Sequence, residues 1–128
     1  MMRLNDPAVL AEVAAVFQCY ERALNDNDVE TLTALFWKSP LTVRYGIGEN
    51  LYGHDAITAF RQNRPNIDLR RSLANTVITT YGDDFATADT EFVKRDTGRR
   101  GRQSQTWMRM EAGWRVVSAH VSFLPAQD

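Results

Sequence analysis

Side chains of alternating polarity recur with a period of two along the C-terminal half of the chain. Four segments show this pattern: 72–81, 85–95, 102–110 and 114–123. Short turn-forming runs separate them, namely Gly82-Asp83-Asp84, Asp96-Thr97-Gly98 and Ala112-Gly113. Period-two alternation at hairpin spacing is typical of antiparallel β-strands. The second half of the chain is therefore predicted to form a four-stranded antiparallel meander.

The first half has the three- and four-residue spacing of helices. Asp6-Pro7 combines an N-cap residue with proline at the first helical position. An apolar stripe follows, formed by Val9, Leu10, Val13, Val16, Phe17, Tyr20 and Leu24. The polar run 25–28 ends this long helix, and Asp28 begins a second, shorter helix that ends before Ser39-Pro40.

A strand over 41–46, a turn over 48–50 and a third short helix over 54–61 complete the first half. Helices followed by an antiparallel meander are typical of the α+β class. A chain of 128 residues is predicted to form a single domain that spans 1–128.

Charge and cysteine content argue against several kinds of protein. A formal net charge of −1 gives no general attraction to nucleic acids or membranes. The basic run 94–102 is expected to be a solvated hairpin tip that at most steers small anions. Cys19 is the single cysteine, so no internal disulfide forms. The start of the chain lacks a long apolar run, and we expect a cytoplasmic protein.

The order of the elements resembles a known architecture. Three helices with a short hairpin before the third, then four long strands ending in W-x-V-x-x-x-H-x-S over 114–122, resemble the SnoaL/ketosteroid-isomerase-like superfamily. The resemblance implies a cone, in which a curved antiparallel or mixed sheet wraps the long first helix and leaves an internal pocket.

A narrower resemblance rests on short motifs. They are RYG at 44–46, GHDAI at 53–57, FR at 60–61, RQSQTW at 102–107 and GWRVV at 113–117. Together they resemble the AtzH-like (HpxZ-like) family, which is associated with the catabolism of cyanuric acid and oxalurate. The resemblance implies decarboxylation of an N-carboxylated urea, a reaction that needs no metal or organic cofactor.

Two residues are the candidate catalytic groups. Arg44 is either an exposed edge-strand side chain or a pocket guanidinium that grips a carboxylate with two parallel hydrogen bonds. Tyr20, on the apolar stripe of the first helix, is either a core tyrosine or a proton donor in a dry cavity. The family resemblance implies that both are catalytic.

Four residues of the last hairpin are candidate substrate-binding groups. Gln105 and Trp107 share one strand face, as do His120 and Ser122. A tight turn at Ala112-Gly113 brings all four to one side of the sheet, whereas a three-residue turn at 111–113 sends His120 to the other side. Gln105 and Trp107 are predicted to line the pocket. His120 joins them only with the tighter turn and is otherwise a packed or interface residue.

Metal binding is not predicted, because His54 and His120 lack the local spacing of zinc ligands. The favoured hypothesis is a cofactor-free enzyme acting on a small anionic substrate. One alternative is a noncatalytic module that binds small acids, with a homodimer formed through the outer sheet face in either case. Another is an isomerase or dehydratase, which requires Asp89, Glu91 or some other carboxylate to be buried in the pocket with a raised pKa. Polar residues on an exposed sheet face are the simpler explanation of Asp89 and Glu91.

Overall fold

The computed structural model describes residues 2–65 and 67–126. Three helices come from the first half of the chain, α1 (Pro7–Asn25), α2 (Val29–Leu35) and α3 (His54–Asn63). Six strands complete the fold: β1 (Val43–Tyr45), β2 (Asn50–Tyr52), β3 (Arg71–Tyr81), β4 (Phe85–Lys94), β5 (Arg100–Met110) and β6 (Gly113–Phe123). The predicted α+β class, with a long first helix, two shorter helices and a mixed sheet, is confirmed.

Local sequence signals explain where the first helices begin and end. The Asp6 carboxylate accepts a hydrogen bond from the backbone N–H of Val9, which caps α1 as predicted. Asp28 caps α2 in the same way. The second helix stops at Leu35, because Phe36 adopts an extended conformation and forms a bridge to Val116 of β6.

The six strands form one curved, unclosed sheet in the order β2-β1-β6-β5-β4-β3. The strands from β3 to β6 pair as the predicted antiparallel meander. The short strand β1 pairs in parallel with β6, and Arg44 lies opposite Ala119. The sheet is therefore mixed, and a strand from the helical half of the chain forms part of its inner face.

The β5–β6 hairpin departs from both arrangements predicted for it. Its turn has two residues, Glu111 and Ala112, between the paired Met110 and Gly113. The register then shifts, because Val117 is an extra residue between the pairs Trp107–Val116 and Thr106–Ser118. Either predicted arrangement requires an unbroken register, which this bulge interrupts.

The hydrophobic core lies between α1, α2 and the inner sheet face. Its largest fully buried apolar side chains are Val13, Phe17, Leu32, Phe36, Ile57, Trp107 and Val116. Exposed apolar side chains lie on the outer face, including Tyr45, Val77, Phe85 and Val93. The predicted homodimer through that face stays a prediction. No helix in the described part of the chain has the length and hydropathy needed to cross a membrane.

Two leucines test which surface is buried. Leu32 on α2 is fully buried, whereas Leu41 is 73% exposed. Leu32→Ala is expected to lower the free energy of unfolding by about 2–5 kcal/mol, because it leaves a cavity in the core. Leu41→Ala is expected to change it by less than about 0.5 kcal/mol. Urea denaturation of both variants measures the difference, and similar costs at the two sites would contradict this packing.

Candidate functional site

A cavity of about 720 Å³ opens between α3, the end of α1 and the inner face of the sheet. Much of its wall is apolar, formed by Leu24, Leu51, Phe60, Leu69, Phe92 and Val121. This volume and lining are typical of sites that hold small molecules.

The charged groups of the wall are mainly cationic. Arg44, Arg64, Arg71 and Lys94 line the cavity, and Glu49 is the one carboxylate among its described lining residues. Positive charge within apolar walls attracts anions strongly, because little solvent screens it. The cavity is therefore suited to a small anionic ligand.

Tyr20 brings a phenol from α1 to the cavity wall. Its side chain is 2% exposed, and its ring packs edge-on against Phe36 and Trp107. The Tyr20 hydroxyl oxygen accepts a hydrogen bond of 3.0 Å from Nη2 of Arg61. A guanidinium has only donors, so the phenol must accept in this contact. The phenolic proton is then free to be donated to a ligand.

The surroundings of Tyr20 also change its acidity. Burial alone raises the pKa of the Tyr20 phenol, but the positive charges of Arg61, Arg44 and Arg71 outweigh burial. The pKa of Tyr20 therefore lies below its usual value of 10.0. A phenol of lowered pKa gives up its proton more readily, as proton-transfer chemistry near neutral pH requires.

Arg44 is held on the inner face of β1 and is mostly buried. Its Nη1 donates to Oε1 of Glu49 at 3.0 Å, and its guanidinium carbon lies 5.5 Å from the centre of the Phe60 ring. Gly46 makes this pair possible, because a Cβ there would lie 1.7 Å from Glu49 Oε1 and 2.9 Å from Arg44 Nη1. The RYG motif therefore places an arginine beside a carboxylate in the cavity.

Arg71 and Gln103 form a second polar group on the wall. Arg71 makes a buried, two-pronged ion pair with Glu21 of α1, which neutralises its charge. Its Nη2 also donates to Oε1 of Gln103 at 2.9 Å. The Gln103 Nε2 has no hydrogen-bond partner among the described residues. The amide of Gln103 is thus an unused donor at the wall of the cavity.

Arg64 follows α3 and is half-buried at the cavity. Its guanidinium carbon lies 4.8 Å from the centre of the Phe60 ring. No carboxylate of residues 2–65 or 67–126 forms an ion pair with it. Burial and the charges of Arg61 and Arg44 lower the pKa of Arg64 to about 10. Arg64 stays protonated at neutral pH and adds positive charge to the wall.

The structure brings the two predicted catalytic residues to one cavity. Tyr20 from α1 and Arg44 from β1 both line it, although they are 24 positions apart in the sequence. The simple alternative for Arg44, an exposed side chain on an edge strand, is wrong. The catalytic roles of both residues stay predictions.

Gln105 and Trp107 were predicted to line the cavity, but neither residue does. Both lie on the inner face of the sheet but are fully buried below the cavity, where Trp107 Nε1 donates to Gln105 Oε1 at 3.1 Å. β5 runs from the cavity into the core, so a residue nearer its start meets the cavity. That residue is Gln103.

His120 lies on the opposite face of the sheet from the cavity. It pairs with Ser104, is exposed, and its ring contacts Tyr45 at a centroid distance of 5.7 Å. The bulge at Val117 sets this side of β6, so the pocket position predicted for His120 with the tighter turn is wrong, and the predicted alternative on the opposite face is the one observed. Ser122 shares the outer face and accepts a hydrogen bond from Arg102.

Asp89 and Glu91 also lie outside the cavity. Asp89 is exposed on the outer face of β4, and Glu91 accepts a hydrogen bond from Asn75 at 2.7 Å. The simpler explanation of these two residues, polar groups on an exposed face, is therefore the right one. An isomerase that uses either carboxylate as its base in the pocket is not compatible with this fold.

Arg61 contacts the candidate site through Tyr20, although the sequence drew attention to it only as part of the FR motif at 60–61. It lies one turn after Ile57 on the buried face of α3, and both are almost fully buried. An arginine at an apolar position of an amphipathic helix is the sequence signal that identifies it. Arg64 and Gln103 gave no comparable signal. No three His, Cys, Asp or Glu side chains of the described chain are grouped so that they could hold a metal ion.

The chain is similar to proteins of one family. A family model described as AtzH-like matches residues 2–127. A protein of unknown function from Pectobacterium atrosepticum is 55% identical, with a TM-score of 0.92 over 95% of each chain. A cystatin-like fold protein from Burkholderia xenovorans is 48% identical, with a TM-score of 0.92 over 99% of this chain and 100% of that one.

A more distant structure has the same architecture. A nuclear transport factor 2-like superfamily protein from Salmonella enterica is 25% identical, with a TM-score of 0.73 over 94% of each chain. The predicted cone fold is thereby confirmed. No curated protein matches this sequence.

The Arg44–Glu49 pair gives a test of anion binding. Glu49→Gln removes the carboxylate that competes with a ligand for Arg44, so malonate is expected to bind about fivefold more tightly, as for an ion pair of about 1 kcal/mol. Calorimetric titration measures the dissociation constant. Glu111→Gln, in the exposed β5–β6 turn, is the control and leaves it unchanged. Weaker malonate binding by Glu49→Gln would contradict competition at Arg44.

Proposed function

Because the chain belongs to the AtzH-like family, we propose that it is a cofactor-free enzyme that decarboxylates a small N-carboxylated urea. One observation carries the proposal: the Tyr20 phenol and the Arg44 guanidinium line the same cationic cavity. The first is a proton donor and the second is a carboxylate receptor, and this reaction needs one of each.

The substrate carboxylate binds to Arg44. A guanidinium offers parallel N–H groups that match the two oxygens of a carboxylate. Arg64, without a carboxylate partner in the described chain, attracts the anion to the same cavity. The unpaired Nε2 of Gln103 donates to the urea carbonyl oxygen. Binding therefore orients the substrate by its charge and by its carbonyl group.

Tyr20 supplies the proton that allows carbon dioxide to leave. The phenol protonates the carboxylated nitrogen, and the N–C bond breaks with its electron pair retained by nitrogen. The products are carbon dioxide, the urea N–H group and the Tyr20 tyrosinate. Water reprotonates the tyrosinate, and the hydroxide left behind combines with carbon dioxide to give bicarbonate. The net reaction consumes one water for each N-carboxylate removed.

Apolar walls support this chemistry. Phe60, Leu69 and Phe92 line the cavity beside the charged groups and exclude water from the reacting atoms. Charges and dipoles act more strongly in such a site than in bulk water. Positioning and a preorganised polar wall then supply the rate enhancement.

Two substitutions separate binding from chemistry. Tyr20→Phe is expected to lower kcat at least about 100-fold while malonate affinity stays close to wild type, since only the proton donor is lost. Arg44→Ala is expected to lose both turnover and malonate binding, because the carboxylate receptor is lost. Release of ¹³C-labelled bicarbonate from N-carboxyurea, followed by NMR, measures turnover.

The matched controls are Tyr52→Phe and Arg102→Ala on exposed positions of β2 and β5. Both are expected to retain wild-type turnover, and circular dichroism verifies that all four variants are folded. Full activity in Tyr20→Phe or Arg44→Ala would refute the proposed roles. Malonate binding by the wild type without any turnover of N-carboxylated ureas would favour a noncatalytic acid-binding module instead.

A further inference from the structure

Arg61 is a buried charge without a carboxylate partner. Its side chain is 2% exposed, and no carboxylate of the described chain forms an ion pair with it. Nη2 donates to the Tyr20 hydroxyl oxygen at 3.0 Å, whereas Nε and Nη1 have no hydrogen-bond partner among the described residues. Its guanidinium carbon lies 5.7 Å from the centre of the Phe36 ring.

Such an arrangement lowers the stability of the folded state. A buried charge without an opposite charge loses its hydration and gains little in return. Burial lowers the pKa of Arg61, and repulsion from Arg44 and Arg71 lowers it further. The contact with Phe36 does not satisfy the N–H groups of Nε and Nη1. A side chain that is costly in the folded state and contacts a candidate proton donor is expected to have a functional role.

We propose that Arg61 is a positioning residue that stabilises the tyrosinate form of Tyr20 during the decarboxylation. This inference rests on the proposed function, in which Tyr20 gives up its proton. When the proton leaves, the phenolic oxygen becomes negatively charged and supplies the oppositely charged partner that Arg61 otherwise lacks. The ion pair therefore forms only after proton transfer begins, and an interaction of this kind lowers the barrier rather than tightening substrate binding.

Arg61 also fixes the direction of the phenolic proton. Its N–H occupies one acceptor position of the Tyr20 oxygen, and arginine has no acceptor of its own. The Tyr20 proton is consequently donated elsewhere, and the cavity that Tyr20 lines is where an acceptor would bind. One contact thus sets both the acidity and the orientation of the donor.

Other charged groups act on Tyr20, but Arg61 is the one charged residue of the described chain that forms a hydrogen bond with its hydroxyl. Arg44 from β1 pairs with Glu49, and Arg71 from β3 pairs with Glu21 of α1. Arg64, after α3, acts on the phenol without a hydrogen bond to it. Among the positive charges that lower the pKa of Tyr20, Arg61 has the largest effect. Removing its charge is therefore expected to raise the pKa of Tyr20.

The test is the titration of Tyr20 itself. Protein labelled with ¹³Cζ-tyrosine is titrated by NMR, with Tyr20→Phe identifying the Tyr20 resonance. Arg61→Met is expected to move the Tyr20 titration to higher pH and to lower kcat at least about tenfold, with malonate affinity within about twofold of wild type. Arg61→Lys, which keeps the positive charge, is expected to restore part of both properties.

A structural role for Arg61 predicts a different result. Because Arg61→Met removes an uncompensated buried charge, urea denaturation is expected to show no loss of stability. Arg102→Met, on the outer face, is the control and leaves the Tyr20 titration unchanged. If Arg61→Met does not fold, Arg61→Gln keeps a donor to Tyr20 without the charge and must show the same upward shift.

Two outcomes separate this inference from the proposed function. An unchanged Tyr20 titration in the Arg61→Met or Arg61→Gln variant overturns the inference, even if the wild type is an active decarboxylase. A wild type without decarboxylase activity refutes the proposed function and with it the catalytic role of Arg61, even where the titration shifts as expected.

Discussion

The parallel pairing of β1 with β6 is the contact on which the cavity depends. It brings a three-residue strand from the helical half of the chain against the last strand of the meander. Because strand faces alternate, pairing Arg44 with the buried Ala119 places the guanidinium inside, while Tyr45 and His120 share the outside. A slip of one residue would exchange the two sets. The cationic wall would then lose Arg44, its proposed carboxylate receptor.

The sequence was most informative where one residue pattern is enough to fix a structure. Helical spacing predicted α1, and period-two alternation predicted β3 to β6, because both patterns arise from burying one face of a regular element. Arg44 was identified in a short family motif, whereas Tyr20 was identified from its place on the apolar stripe of α1 and from the family resemblance. The sequence left two positions open for His120, because the turn residues at 111–113 do not signal the bulge at Val117 that sets its side of the sheet.

The sequence also did not show how far along β5 the cavity extends. Gln103, Gln105 and Trp107 all lie on the inner face of β5, and alternation alone does not distinguish them. Which of them meets the cavity depends on how far α1 covers the sheet. The contact made by Arg61 was missed for a related reason. The helical spacing of α3 indicates that position 61 is buried, but it does not indicate which residue the side chain contacts. That residue is Tyr20, 41 residues earlier.

The positive charges of the three buried arginines have three different partners, and these contacts together define the site. Arg71 has a fixed carboxylate partner in Glu21, and it joins the end of α1 to the sheet. Arg44 is paired with Glu49 from a short loop. Arg61 has only a neutral phenol. Proteins tolerate this kind of unfavourable electrostatics mainly at functional sites, where stability is exchanged for reactivity.

The Arg44–Glu49 pair has a consequence for which acids can occupy the cavity. Glu49 is tethered five residues from Arg44, so its carboxylate has a high effective concentration at the guanidinium. A simple acid in solution offers the same functional group but without the tether, so competition from Glu49 is expected to weaken its binding by about fivefold. A successful ligand must make additional contacts elsewhere on the wall. The tethered carboxylate is thereby expected to favour ligands that make several contacts over acids that offer a carboxylate alone.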